Sequence, residues 1–246
     1  MTISDEPFSE QDMELLETTS ETKRVAVGVI LAALYAVLAI IPLSAFIGAA
    51  SIISFAICIA PIMGIVLGPL RGFVFGLIGG LLAAIILMVM PFNLYLLMPT
   101  TIFGPAVAGL FTGLSTRRTN RIGPLLTALY LIAIIGLFLV PRPTAWIFMT
   151  PYVAAVIVAI LLQIVDINFN LNKKGVTKYL QIIPFTFLGA MLDHSMMAMG
   201  SVYLLGLDAT LFIGIFPLMI IERTIATIVG AIIGFVVLTV LRSELT

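Results

Sequence analysis

The sequence predicts an all-α polytopic membrane protein, a bundle of about eight transmembrane helices with both termini in the cytoplasm. Three observations carry this expectation. Of 246 residues, 61% are hydrophobic and only 10% charged, where a soluble domain of this size carries roughly 25% charged residues. No residue from Val25 to Leu70 is charged, and because about 20 helical residues cross a hydrocarbon core about 30 Å thick, this run has to turn back once. The apolar runs are also continuous, without the alternation that a membrane β-barrel needs.

The chain opens on an acidic segment, 1–24, holding Asp5, Glu6, Glu10, Asp12, Glu14, Glu17 and Glu21. It reads either as a short cytoplasmic amphipathic helix capped by Ser9, with Phe8, Met13, Leu15 and Leu16 on its apolar side, or as a solvated tail. Such a head lacks the basic flank and short apolar stretch of a cleavable signal peptide, so the first span is expected to stay in the mature protein. Residues 25–246 form one membrane domain, divided by turn signals at Ile41-Pro42-Leu43-Ser44, Gly68-Pro69-Leu70-Arg71, Met90-Pro91-Phe92-Asn93, Arg117 to Arg121, Val140-Pro141-Arg142-Pro143, Asn170 to Lys178 and Gly206-Leu207-Asp208. The resulting apolar segments are 25–43, 50–68, 72–90, 97–115, 122–140, 145–166, 180–204 and 210–241.

Eight spans place both termini and every second loop on one side, where Lys23, Arg24, Arg71, Arg117, Arg118, Arg121, Lys173, Lys174, Lys178 and Arg242 all fall. Basic residues concentrate on the cytoplasmic side, so that side is the cytoplasm and the protein sits in the cell membrane as a multi-pass chain. Only Arg142 lands opposite, and Arg223 lies within a span. One cysteine (Cys58) and one histidine (His194) allow neither an internal disulfide nor a Cys/His zinc site. No metal or cofactor is expected. Nucleic-acid binding has no basis, since the basic residues are loop-end anchors.

Helices in lipid pack closely through small residues four apart. Three spans carry such seams: Gly28, Ala32 and Ala36 on the first; Gly72, Gly76, Gly80 and Ala84 on the third; Ala226, Gly230 and Gly234 on the last. The second and third of these are expected to pack within the chain. The first, on the outermost element in sequence, is expected to serve a separate membrane partner.

At these residues the chain resembles a family. The opening Arg24-Val-Ala-Val-Gly-Val-Ile-Leu-Ala-Ala-Leu-Tyr-Ala-Val-Leu-Ala is similar to the first helix of the substrate-binding S-components of energy-coupling-factor (ECF) vitamin transporters. So are the stretch from Ala60 to Gly80, with its Gly68-Pro69-Leu70-Arg71-Gly72 turn, and the final segment from Ile221 to Gly234. The resemblance covers about half the chain. It implies a protein that captures a water-soluble vitamin or related small molecule from outside, then associates with a membrane coupling subunit and two cytoplasmic ATP-binding subunits. In that family an Ala-x-x-x-Ala pattern on the first helix docks the coupling subunit, and Ala32 with Ala36 match it. The family usually has six helices; the extra pair here would be 122–140 and 145–166.

An ionisable group within a span is costly and faces a partner or a water-filled cavity, which makes it a functional candidate. Asp193, His194, Glu222 and Arg223 qualify. Asp193 lies 15 residues from Lys178 and Arg223 lies 19 from Arg242, about 22 and 28 Å at 1.5 Å per residue, which puts both toward the outer half. One reading is an ion pair that pins the last two helices. The other is a polar pocket open to the outside, in which Arg223 holds a substrate carboxylate or phosphate and Asp193 or Glu222 takes a donor group. Asn93 and Tyr95 are expected to join it, because the family's outer loops close over the ligand. Trp146 and Tyr203 line the same end or serve as interfacial anchors, and Arg142 either steers an anion or caps a loop. His194 is a proton relay or a hydrogen-bonded packing residue.

Adjacent helical residues project about 100° apart, so Asp193, His194 and Ser195 cannot align as a catalytic triad, and the chain is not expected to be an enzyme. No Gly-x-x-x-x-Gly-Lys-Ser/Thr stretch is present, so any ATP-driven uptake takes its motor from partner subunits. Two other readings compete: a stand-alone ion-coupled secondary transporter working through Asp193, Glu222 and His194, and an intramembrane lipid-processing enzyme.

Overall fold

The computed structural model describes residues 21–41, 54–89, 94–116, 122–165 and 179–243. Helix falls on each of the eight apolar segments: α1 (Glu21–Leu38), α2 (Ala60–Leu67), α3 (Pro69–Ile86), α4 (Gly104–Thr116), α5 (Gly123–Leu139), α6 (Thr150–Ile164), α7 (Ile183–Tyr203) and α8 (Ala209–Ser243). Short 3₁₀ turns lead into α2, α4 and α6 at Phe55–Cys58, Pro99–Phe103 and Pro143–Met149. Among the described residues there is no β-strand. Three stretches, Pro69–Val89, Pro143–Ile164 and Ala209–Val240, are long and apolar enough to cross a membrane, and the chain is an all-α membrane protein.

Proline sets the helix starts. Pro61, Pro69, Pro124, Pro151 and Pro184 occupy the first turns of α2, α3, α5, α6 and α7, and Pro105 follows the first residue of α4. There the missing N–H removes no intrahelical bond and the ring's fixed φ favours the helix. Between α2 and α3 the chain needs a sharp reversal. Gly68 supplies it at φ 81°, a conformation that a side chain disfavours. Of the acidic segment only Glu21, Lys23 and Arg24 among its charged residues lie within the described residues, where they begin α1 as ordinary helix; residues 1–20 lie outside them.

α4 stands at the centre, packed by α2, α3, α5 and α7. The third span's seam accounts for the closest approach: a Cβ added to Gly72 would lie 2.8 Å from the Gly109 carbonyl oxygen, and one on Gly76 would lie 2.8 Å from Ala106 Cα. Any side chain there would force α3 and α4 apart. α5 and α6 pair as a hairpin against α4 and α7, and α8 lies on α7, α2 and the two turns at Phe55–Cys58 and Pro143–Met149. The last span's seam is internal as well, with Gly230 facing Cys58 and Gly234 facing Ile182 and Ile62.

The first span's seam overturns its expectation. Gly28, Ala32 and Ala36 do not form an open face for a partner; they are buried within the chain, Ala32 and Ala36 each at 1% exposure. A Cβ on Gly28 would run into the Phe75 ring, and one on Gly79 would meet Tyr35 and the Ala32 carbonyl oxygen. The seam is thus matched by α3, a glycine-rich neighbour that spacing alone does not identify. The open face of α1 is the branched one carrying Val25, Val29, Ile30 and Val37. Arg71 pairs with Glu21 across the starts of α3 and α1, and both side chains reach solvent.

Candidate functional site

Asp193 is the eleventh of the 21 residues of α7. Arg223 is the fifteenth of the 35 residues of α8. The two helices pack side by side, stitched by Thr186 Oγ1 donating to the Thr227 carbonyl oxygen at 3.1 Å.

Arg223 is 2% exposed. Its Nη1 donates to the Ala190 carbonyl oxygen at 3.4 Å, a long bond, and its Nε has no acceptor among the described residues. A guanidinium carries five donors in a rigid fork, and burying them without acceptors costs about 1–3 kcal/mol for each group left unmade. Asp193 does not complete it. The only ion pair within 4.0 Å among the described residues is Arg71 with Glu21, so of the two readings the direct ion pair between Asp193 and Arg223 is not formed. Asp193, Glu222, Tyr152 and Cys58 nevertheless all lie within electrostatic reach of Arg223.

Asp193 is partly exposed, and its carboxylate takes part in no hydrogen bond or ion pair among the described residues. Its surroundings are closed. Gly104, at the start of α4, comes so near that a Cβ there would lie 2.5 Å from Asp193 Oδ1, and the neighbouring charged or hydroxyl groups Arg223, Tyr35 and Tyr95 are themselves buried.

Tyrosines line this centre. Tyr35 on α1 and Tyr95, after α3, place their hydroxyls 3.2 Å apart, and Tyr95 also engages the Ser54 side chain. Tyr152 on α6 is 2.8 Å from His194 Nδ1. That bond, with ring contacts from His194 to Phe148 and Tyr152, turns His194 toward α6 as a hydrogen-bonded packing residue within an aromatic group that includes Phe138 and Phe212. Ser195 Oγ sits 2.8 Å from Tyr130 on α5 and donates to the Leu192 carbonyl oxygen. Asp193, His194 and Ser195 therefore face three different neighbours, as helical spacing requires.

The structure brings Tyr95, Asp193 and Arg223 of the expected set to one place, with His194 joined through Tyr152, while Glu222 is buried next to Arg223 in the chain. Asn93 lies outside the described residues. Trp146 and Tyr203 are 62% and 54% exposed, away from the centre, and Tyr203 donates to the Leu137 carbonyl oxygen. Arg142 is a loop cap: Nε donates to the Leu207 carbonyl oxygen at 2.7 Å and Nη2 to that of Gly206 at 3.0 Å. Tyr35, Ser54, Cys58 and Tyr152 are additions that sequence reasoning missed; a tyrosine within an otherwise aliphatic span was the available signal for two of them. No group of three or more His, Cys, Asp or Glu able to hold a metal occurs among the described residues. Comparison with family models, curated proteins and solved structures finds no match to this chain.

Proposed function

We propose that this chain is the substrate-binding membrane subunit of an ECF-type importer. It captures a water-soluble vitamin or related small molecule from outside, for ATP-driven uptake by a membrane coupling subunit and two ATP-binding subunits. In this proposal the eight helical segments are eight crossings of the cell membrane, both termini are cytoplasmic, and α5 with α6 is the pair added to a six-helix core. The observation that carries it is the couple at the centre: a buried guanidinium whose Nε lacks an acceptor, beside a carboxylate that lacks a donor, both among the described residues. Neither group gains stability from the other at contact distance, and each is costly to keep in lipid unless something is bound between them. The seam at Gly28, Ala32 and Ala36 is left out of the proposal because α3 already covers it.

Affinity purification from native membranes in mild detergent tests this. Co-isolation of a membrane subunit with two ATPases is the expected result. Gradient-driven uptake by the purified chain alone in liposomes would overturn it in favour of secondary transport, and lipid turnover by the purified chain would overturn it in favour of an enzyme.

A further inference from the structure

We infer that the start of α8, residues 209–216, is a gate hinged at Gly214 and Pro217 and latched onto the bundle by Phe212. The helix is longer than one crossing needs. Its apolar stretch Ala209–Val240 has 32 residues, about 48 Å at 1.5 Å per residue, against a hydrocarbon core about 30 Å thick. The part from Pro217 onward, about 36 Å long, spans that core with some tilt. The arm of about 12 Å before it is surplus to the crossing.

The junction is soft for two reasons. Pro217 stands inside the helix, so it offers no N–H to the Ile213 carbonyl oxygen and its ring crowds that carbonyl group. Gly214 lies three residues earlier, and a Cβ there would meet nothing within 4 Å. No neighbour asks for glycine at 214, where it costs a helix about 1 kcal/mol against alanine. Both residues are exposed, so no packed side chain braces them against a bend. The arm itself is held at few points. Leu211, Ile213 and Ile215 are exposed, and of residues 209–216 only Phe212 is buried. Its ring centroid lies 4.9 Å from that of Phe138 and 5.1 Å from that of Phe148.

Behind this latch Phe148 leans on His194, which meets Tyr152, and Tyr152 lies within electrostatic reach of Arg223. Arg223 is sealed at 2% exposure and follows Pro217 on the same helix, so a bend at Pro217 that lifts Phe212 uncovers the aromatic group leading to it. This use of the gate as an entrance rests on the importer proposal; the hinge itself rests on α8 alone.

The test uses the full chain in mild detergent with Cys58→Ala and with spin labels on Thr210→Cys and Val89→Cys, both exposed. Pulsed electron paramagnetic resonance reads their separation, and Ile232→Cys with Val89→Cys, past the hinge, is the reference pair. A bend of about 20°, where a helix kink counts as sharp, moves the tip of the arm by about 4 Å. Phe212→Ala, which releases the latch, is expected to give the Thr210 pair a second separation about 4 Å or more from the parent's, with the reference pair unchanged. Adding Pro217→Ala is expected to abolish it. Phe212→Leu, which keeps an apolar side chain without the ring, gives the same comparison should alanine prevent folding. One separation as narrow as the reference in the parent and the Phe212 variants alike would overturn the hinge. The importer proposal would then still stand, because the subunits that co-isolate decide it. A second separation that persists unchanged with Pro217→Ala would overturn Pro217 as the pivot.

Discussion

Ala36→Leu asks directly what the first span's small face is for. Ala36 is 1% exposed and lies one helical turn beyond Ala32, whose carbonyl oxygen is 3.4 Å from the position a Cβ would take on Gly79. At that separation α1 and α3 touch nearly backbone to backbone, so three added carbons have no space between them. The helices must move apart or the leucine must leave its rotamer, and overpacking of this kind costs about 1–3 kcal/mol. At about 2–4 °C per kcal/mol for a chain of this length, the melting temperature in detergent should drop by about 2–12 °C. Val29→Leu, on the open face at 55% exposure, should stay within about 0.5 kcal/mol of the parent. A fluorescence melt of both variants beside the parent decides it. An Ala36→Leu protein that melts like the parent yet no longer co-isolates with the proposed coupling subunit would refute the packing role and restore the docking one.

Gly104→Ala places a methyl against Asp193 Oδ1 and should weaken ligand binding at least tenfold while lowering the melting temperature only a few degrees, read by ligand-induced thermal shift. Tyr152→Phe removes the 2.8 Å bond to His194 Nδ1 and should destabilise the chain by about 1–3 kcal/mol, the cost of leaving a buried group unpaired; a neutral denaturation result would show that His194 finds another partner. Arg142→Ala releases the carbonyl oxygens of Gly206 and Leu207, so amide exchange across 204–208 should accelerate by about tenfold or more, while exchange in α7 stays unchanged. Arg71→Ala breaks an exposed pair and should change stability by less than about 1 kcal/mol.

Much of the fold was legible because lipid imposes simple rules. Apolar runs must be helical there, and Pro61, Pro69, Pro124, Pro151 and Pro184 mark helix starts in sequence and structure alike. Asp193, Glu222 and Arg223 were legible for the same reason, each being costly within a span. What spacing does not contain is which neighbour meets a given face. Gly28, Ala32 and Ala36 announce a close approach, but only the packed bundle shows that Phe75 and Gly79 of α3 make it. Tyr35 and Tyr152 went unnoticed because their rings suit an apolar span, and their hydroxyls gain meaning only from Tyr95 and His194, which lie far along the chain.

The proposed site at Asp193 is open to the most direct measurement of all. In a chain with Cys58→Ala, Asp193→Cys is treated in intact cells with a membrane-impermeant, water-soluble thiosulfonate, with Asp208→Cys at the turn between α7 and α8 as the reference for a surface position. A solvent-reachable site predicts that Asp193→Cys is labelled from outside. Labelling of Asp208→Cys with none at Asp193→Cys would contradict the account, leaving the central charges as sealed components of the bundle.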